Sequence, residues 1–155
     1  MTTILCPTRG GRASIPNQER AIAIAKERAG EVLFLYVSNV HFLNRLASPV
    51  LVDVQEELDE LGEFMLTMAQ ERAQKAGVRA RTAIRSGIFR TALRELIQEQ
   101  DIAAVVLGTP AEAGGITTPD YRADLIDWIL TETGVDVIVT HAGEIVAHYK
   151  SQEKA

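Results

Sequence analysis

The chain has little cysteine, no long apolar run and no excess of basic residues, and each of these absences excludes a class of proteins. A single cysteine, Cys6, excludes an internal disulfide and a zinc site built from several cysteines. No apolar stretch reaches the length of a membrane span, and the first residues lack the layout of a signal peptide. The net charge of -5 disfavours a general nucleic-acid coat. We therefore expect a cytoplasmic protein without a membrane or nucleic-acid partner.

The composition is that of an ordinary globular domain. The chain has 155 residues, of which 46% are hydrophobic and 24% are charged. This length predicts one domain, and the hydrophobic content is sufficient for a core. We place the domain at residues 1–146 and a polar, frayed tail at 147–155.

Strand-like and helix-like segments alternate along the chain. The pattern predicts five strands, at 3–7, 32–37, 78–84, 102–107 and 135–139. It also predicts four helices: one from Pro16 to 29, one at 53–76, one that follows Gly87, and one from 120 to about 133. The segment 78–84 alternates in polarity, which is typical of a half-exposed edge strand, whereas the second and fourth strands are apolar throughout. The pattern predicts a single-domain α/β fold, a five-stranded parallel sheet with helices on both faces.

A ligand site of such a sheet lies at the carboxyl ends of its strands. The loops that follow the first, second and fourth strands span 8–14, 37–39 and 108–118, and the first and last contain the pairs Gly10-Gly11 and Gly114-Gly115. Glycine lets backbone N–H groups approach an anion closely, which favours phosphate binding. The same glycines also fit tight turns that bind no ligand.

Four segments together resemble the universal stress protein (Usp) family. They are ILCPTRGGRAS at 4–14, Leu35-Tyr36-Val37, IAAVVLGT at 102–109 and VDVIV at 135–139. The resemblance covers roughly residues 2 to 140. It implies the strand order 3-2-1-4-5, a Rossmann-like sheet similar to adenine nucleotide alpha hydrolases. It also implies a homodimer joined through the last strand, Val135 to Val139, and ATP or AMP as the ligand.

The resemblance also implies where a nucleotide would bind. In the family an aspartate after strand 1 and a valine backbone in strand 2 hold adenosine, and a G-x2-G-x9-G-[ST] loop holds the phosphates. Val37 and Gly108 match this pattern, but Arg9 replaces the aspartate, Ala111 the second glycine, and Tyr121-Arg122 the final pair. A non-standard binding mode would use other hydroxyl and N–H groups of the loops. The candidate nucleotide-binding residues are Pro7, Thr8, Arg9, Gly10, Val37, Gly108, Thr109, Gly114, Gly115, Thr117 and Thr118.

No constellation of residues predicts catalysis or a metal site. The three histidines are far apart in sequence, and no serine has the partners of a hydrolase triad. Seven basic residues between Arg72 and Arg94 have no acid among them, and six acids lie between Asp53 and Glu63. These runs form either a basic face for an acidic partner or ordinary protection of an edge strand.

Three functions remain open at this point. The first is a dimeric regulatory module that binds an adenine nucleotide. The second is a nucleotide-independent interaction protein of the same fold, which recruits partners through its dimer surfaces and the loop 38–52. The third is a weak nucleotide hydrolase, for which Glu112 and Asp120 are the nearest acids. We expect that this protein is not an enzyme.

Overall fold

Alternating strands and helices build a three-layered α/β domain. The computed structural model describes residues 2–9, 12–38, 48–108 and 119–151. The strands are β1 (Thr3–Pro7), β2 (Glu31–Ser38), β3 (Ala80–Ser86), β4 (Ala104–Gly108), β5 (Asp136–His141) and β6 (Glu144–Tyr149). The helices are α1 (Ile15–Glu27), α2 (Ser48–Lys75), α3 (Phe89–Glu99) and α4 (Pro119–Trp128), with a 3₁₀ turn at Arg12–Ser14 and a π-helical turn at Ile129–Thr133.

The sheet has six strands in the order β3-β2-β1-β4-β5-β6. The first five are parallel, which confirms the predicted parallel α/β sheet and its order, and β6 is antiparallel to β5. The predicted number of five strands is wrong by one. The alternating strand, β3, forms one edge of the sheet as predicted.

The inner strands are apolar throughout because both of their faces are covered. In β2, Val32 and Phe34 face a core shared with α1 and α2, while Leu33 and Leu35 face a second core shared with α3 and α4. The four side chains are 0–2% exposed. Continuous apolar runs of this kind are typical of parallel sheets between two helical layers.

The helix α2 begins at Ser48, earlier than the predicted Asp53. The sequence predicts a loop around Pro49, but proline also fits the first turn of a helix, where its missing N–H is not needed. Residues 48–52 of the predicted loop 38–52 therefore belong to α2, and 39–47 lie outside the described residues.

The strand β6 corrects the predicted tail and changes the edge of the sheet. Residues 147–149 belong to β6 and pair with β5, so the frayed tail does not start at 147. Ala142 and Gly143 form the hairpin loop with φ values of 50° and 84°, the left-handed conformation that two-residue hairpins require. Because β6 covers the outer edge of β5, the dimer predicted through Val135 to Val139 has no free β5 edge to use.

Four of the seven bases between positions 72 and 94 contact partners within the chain. Arg81 lies 2.9 Å from Glu31, Arg85 lies 3.1 Å from Glu99, and Arg90 lies 2.7 Å from Asp124. The guanidinium of Arg72 donates to Gln18 at 2.8 Å. These contacts favour the interpretation of the run as local pairing between elements. In the described part of the chain, no helix combines the length and apolar content needed to cross a bilayer.

Candidate functional site

The strand order reverses between β1 and β4, and this reversal defines a crevice at the carboxyl edge of the sheet. Ladder pairs join Ile4 to Ala104 and Leu5 to Val105, and both strands continue beyond these pairs. The helix α1 follows β1 after a short loop and begins at the same edge. A ligand placed here would meet the ends of two strands and the first turn of a helix.

Five of the predicted site residues lie at this edge, and six lie outside the described residues. Pro7 and Gly108 end β1 and β4, Thr8 and Arg9 follow β1, and Val37 lies near the end of β2. The structure therefore brings the strand-1 and strand-4 ends to adjacent places, as the fold predicts. The residues outside the described ranges are Gly10, Thr109, Gly114, Gly115, Thr117 and Thr118, and the same holds for Ala111 and Glu112.

Thr8 is held in place by three elements. Its backbone N–H donates to Leu35 O at 2.8 Å, and its hydroxyl accepts a hydrogen bond from the Gln18 amide of α1 at 2.8 Å. The Gln18 side-chain oxygen in turn accepts from Arg72 of α2 at 2.8 Å. Gln18 is 2% exposed, so this chain of bonds is fixed inside the protein. The exposed Arg9 follows Thr8 directly in the chain.

Gly108 lies against the side chain of Asn17 in the first turn of α1. A Cβ atom at position 108 would come within 1.8 Å of Asn17 Nδ2 and 2.6 Å of its Cγ. The other end of the same amide, Asn17 Oδ1, accepts a hydrogen bond of 2.6 Å from the hydroxyl of Thr140, which is fully buried. Asn17 thus joins the ends of β4 and β5, and a side chain at position 108 would force the Asn17 amide to move.

The end of β2 carries a second small polar cluster. Val37 packs against the core on the α3 and α4 side. The hydroxyl of Ser38 donates to Asp59 Oδ1 at 3.2 Å, and the N–H of Gly87 donates to Ser38 O at 2.8 Å. Burial, followed by the charge of Asp59, raises the pKa of Tyr36 above its usual value. Tyr36 is therefore a neutral phenol near neutral pH.

Buried polar side chains mark the carboxyl edge of the sheet. Four of the six buried polar or charged residues described lie there: Thr8, Gln18, Ser38 and Thr140. The sequence analysis missed Asn17, Gln18 and Thr140 as site residues. The only local signal was their position, in the first helical turn after the strand-1 loop and at the end of an apolar strand.

The chemistry of this edge suits the binding of polar groups. Hydroxyls, amides and a guanidinium donate hydrogen bonds to phosphate or to polar groups of a base. Among the described residues, no group of three or more metal-ligating side chains is found. Burial raises the pKa of the Cys6 thiol to about 12, so this cysteine is a thiol and a poor nucleophile.

Two open hollows lie elsewhere on the described surface. One, of about 290 Å³, is at the carboxyl end of β3 and is lined by Ser86, Thr91 and Glu95 among others. The other, of about 400 Å³, is at the amino edge of the sheet beside Arg28 and Asp101. Neither of these two hollows is lined by Thr8 or Gly108, and the site between β1 and β4 is inferred from strand order and buried polar groups.

Comparison with known proteins identifies relatives of the chain. The model of the universal stress protein family matches residues 1–139. A universal stress protein of Methanocaldococcus jannaschii is 30% identical over 112 residues, which cover 72% of this chain and 66% of that protein. This chain therefore aligns with slightly less than two thirds of that relative's length.

Solved structures of low sequence identity share the fold. Universal stress protein UspA of Lactobacillus plantarum has a TM-score of 0.72 at 20% identity, with 89% of this chain and 96% of that chain covered. A universal stress protein in complex with cAMP has a TM-score of 0.62 at 19% identity, with coverages of 91% and 97%. A family protein of Arabidopsis thaliana with AMP bound has a TM-score of 0.62 at 12% identity, with coverages of 91% and 92%.

Proposed function

Because the chain belongs to the universal stress protein family, we propose that it is a regulatory module that binds an adenine nucleotide between the ends of β1 and β4. Proteins of similar fold that hold cAMP and AMP support this class of ligand. The observation that carries the proposal is the reversal of strand order at an edge where Thr8, Gln18 and Thr140 are buried.

Two features of the described residues shape the proposed binding mode. Arg9 stands where the family carries an aspartate that holds adenosine, and its exposed guanidinium suits a phosphate instead. Asn17 fills the space on one side of Gly108, so a phosphate that approaches from that side must displace the Asn17 amide. In this mode Thr8 orients the strand-1 end while Arg9 contacts the phosphate. The nucleotide is bound and not turned over.

Isothermal titration calorimetry with ATP, AMP and cAMP tests the proposal. We expect Arg9→Ala to weaken binding by about 3- to 10-fold, which is the effect of one exposed charge-assisted contact. Arg28→Ala is the matched control, because Arg28 is also an exposed arginine but lies at the opposite edge of the sheet. Absence of heat with all three nucleotides at millimolar concentration would remove the proposal.

A second candidate function is a nucleotide-independent interaction protein of the same fold. The replacement of the aspartate by Arg9 and the contact of Asn17 with Gly108 favour it. A nucleotide that stays bound through purification, detected by mass spectrometry, counts against this candidate. Weak hydrolysis of ATP is the third possibility, and turnover that Glu112→Ala abolishes would contradict binding without turnover.

The regulatory module is proposed to act as a dimer joined through β6. This strand is the outer edge of the sheet, and Ile145, Val146 and Tyr149 are 47%, 59% and 44% exposed. An apolar edge strand with free backbone groups is a template for pairing with another strand. The segment Glu144–Lys150 is also self-complementary when two copies run antiparallel about Ala147. Glu144 then faces Lys150 and Ile145 faces Tyr149, each pair occurring twice.

Light scattering coupled to size-exclusion chromatography tests this dimer. We expect Ile145→Lys to lower the mass from dimer towards monomer, because it places a charge in the apolar pair with Tyr149. Ile88→Lys is the matched control, since Ile88 is an isoleucine that is 58% exposed on the β3 side of the sheet. A mass that Ile145→Lys leaves unchanged would exclude β6 as the dimer edge.

A further inference from the structure

The helix α2 exposes an apolar stripe on the side that faces away from the core. Leu61, Phe64 and Met68 are 51%, 63% and 40% exposed, and no other helix among the described residues carries three large exposed apolar side chains. The opposite side of α2, with Leu66 and Ala69, is buried against the sheet. The stripe is therefore an additional surface that the fold of the single chain does not use.

The spacing of the stripe is that of a helix-pairing seam. Positions 61, 64 and 68 alternate in steps of three and four, which is the spacing of the core positions of a heptad repeat. The same steps continue to Glu57 on one side, and to Glu71 and Lys75 on the other. The apolar seam is thus preceded by an acid, Glu57, and followed by an acid, Glu71, and then by a base, Lys75.

We propose that this seam packs against the α2 helix of a second copy of the chain in antiparallel orientation. Glu57 and Lys75 lie at equal distances on either side of the midpoint between Phe64 and Met68. A twofold axis through this midpoint places Phe64 of each copy on Met68 of the other, and Glu57 of each copy beside Lys75 of the other. Both side chains of the charged pair are exposed in the single chain.

Charge determines the orientation of the pair. In the antiparallel arrangement, Glu57 of each copy meets Lys75 of the other, so two pairs of opposite charge form. Phe64 of each copy likewise makes a sulfur–aromatic contact with Met68 of the other. A parallel arrangement would place Glu57 beside Glu57 and Lys75 beside Lys75, and like charges at such flanking positions oppose association.

This contact is independent of the nucleotide and of β6. The stripe lies on one helical layer, whereas β6 lies at the edge of the sheet. If both interfaces form, the chain assembles beyond a dimer, and if β6 does not pair, the α2 contact alone gives a dimer. Variants of each interface, measured in the same experiment, therefore distinguish the contribution of α2 from that of β6.

Sedimentation velocity over a range of concentrations tests the α2 pair in the full chain. We expect Phe64→Glu to weaken association by about tenfold or more, because each copy places a carboxylate in the seam of the other. Gln74→Glu is the control, since it adds the same charge at an exposed position of α2 outside the seam. Ile145→Lys serves as the background in which the α2 contact is measured without β6.

A charge exchange tests the antiparallel orientation separately. We expect Glu57→Lys alone and Lys75→Glu alone each to weaken association, and the double variant to restore it. Association that Phe64→Glu leaves unchanged would overturn the proposal, as would a chain that is monomeric in the Ile145→Lys background at every concentration. Failure of the double variant to restore association would overturn the antiparallel geometry.

Discussion

The contact between Gly108 and Asn17 leads to a quantitative prediction about stability. Gly108 does not have a positive φ, so alanine is compatible with the backbone at this position. The obstacle is steric, because the added Cβ would lie 1.8 Å from Asn17 Nδ2. We expect the Asn17 side chain to rotate away in Gly108→Ala, since it is the movable end of the contact.

The cost of this rotation arises at Thr140. The hydroxyl of Thr140 is fully buried and donates a 2.6 Å hydrogen bond to Asn17 Oδ1. A buried polar group that loses its partner costs about 1–3 kcal/mol. We therefore expect Gly108→Ala to lower the free energy of unfolding by about 2 kcal/mol, which corresponds to a decrease in Tm of roughly 4–8 °C for a chain of this size.

A double-mutant cycle measured by urea denaturation checks the cause of this loss. Asn17→Ala also removes the partner of Thr140, so we expect it to cost about as much as Gly108→Ala alone. In the Asn17→Ala background the added methyl group has room, and we expect Gly108→Ala to cost almost nothing. Equal costs of Gly108→Ala in the two backgrounds would refute the reasoning, because they would place the strain elsewhere.

Two further predictions concern ionisation and the hairpin. Burial raises the pKa of Cys6 from its usual 9.0 to about 12, so the unfolded chain loses this proton first and stability falls between pH 9 and 12, at most by about 1.4 kcal/mol per pH unit. Measured by urea denaturation from pH 8 to 10, the free energy of unfolding should fall more steeply with pH for the natural chain than for Cys6→Ala. Parallel pH dependences of the two chains would contradict this. Ala142 has a φ of 50°, so Ala142→Gly should raise the free energy of unfolding by up to about 1 kcal/mol, while Ala147→Gly within β6 should lower it. An equal decrease in the free energy of unfolding for Ala142→Gly and Ala147→Gly would show that the left-handed conformation of Ala142 has no energetic cost.

The sequence predicted most of the scaffold of the site but few of its contacts. The resemblance to the family implied Val37 and Gly108 as ligand positions, and the apolar runs predicted that both lie at strand ends, which the order of parallel strands brings to one edge. Asn17 and Gln18 were missed because a polar residue in the first turn of a helix usually faces solvent. Their partners, Thr140 and Thr8, lie in other elements, and the Thr140 contact joins residues 123 positions apart.

The edge of the sheet was also beyond the reach of local patterns. The residues of β6 are exposed on both faces except for Ala147, so they lack the alternation that a half-buried strand shows. The Ala142-Gly143 turn lacks the asparagine or aspartate that usually precedes glycine in such hairpins. Backbone pairing with β5 holds this strand, together with the hydrogen bond of 2.6 Å from Arg20 to Gly143 O.

The α/β class, the parallel sheet and the two helical layers follow from the order of the residues alone. Burial of one face or both faces of a strand or helix sets the spacing of apolar residues along the chain. This spacing is a property of neighbouring residues, so it can be recognised without the tertiary structure. Three other features are visible only in the folded chain. The strand β6 covers β5, Asn17 joins Gly108 to Thr140, and the α2 residues Leu61, Phe64 and Met68 remain uncovered. These features depend on which distant surfaces meet, and the free energy of such contacts exists only after the chain has folded.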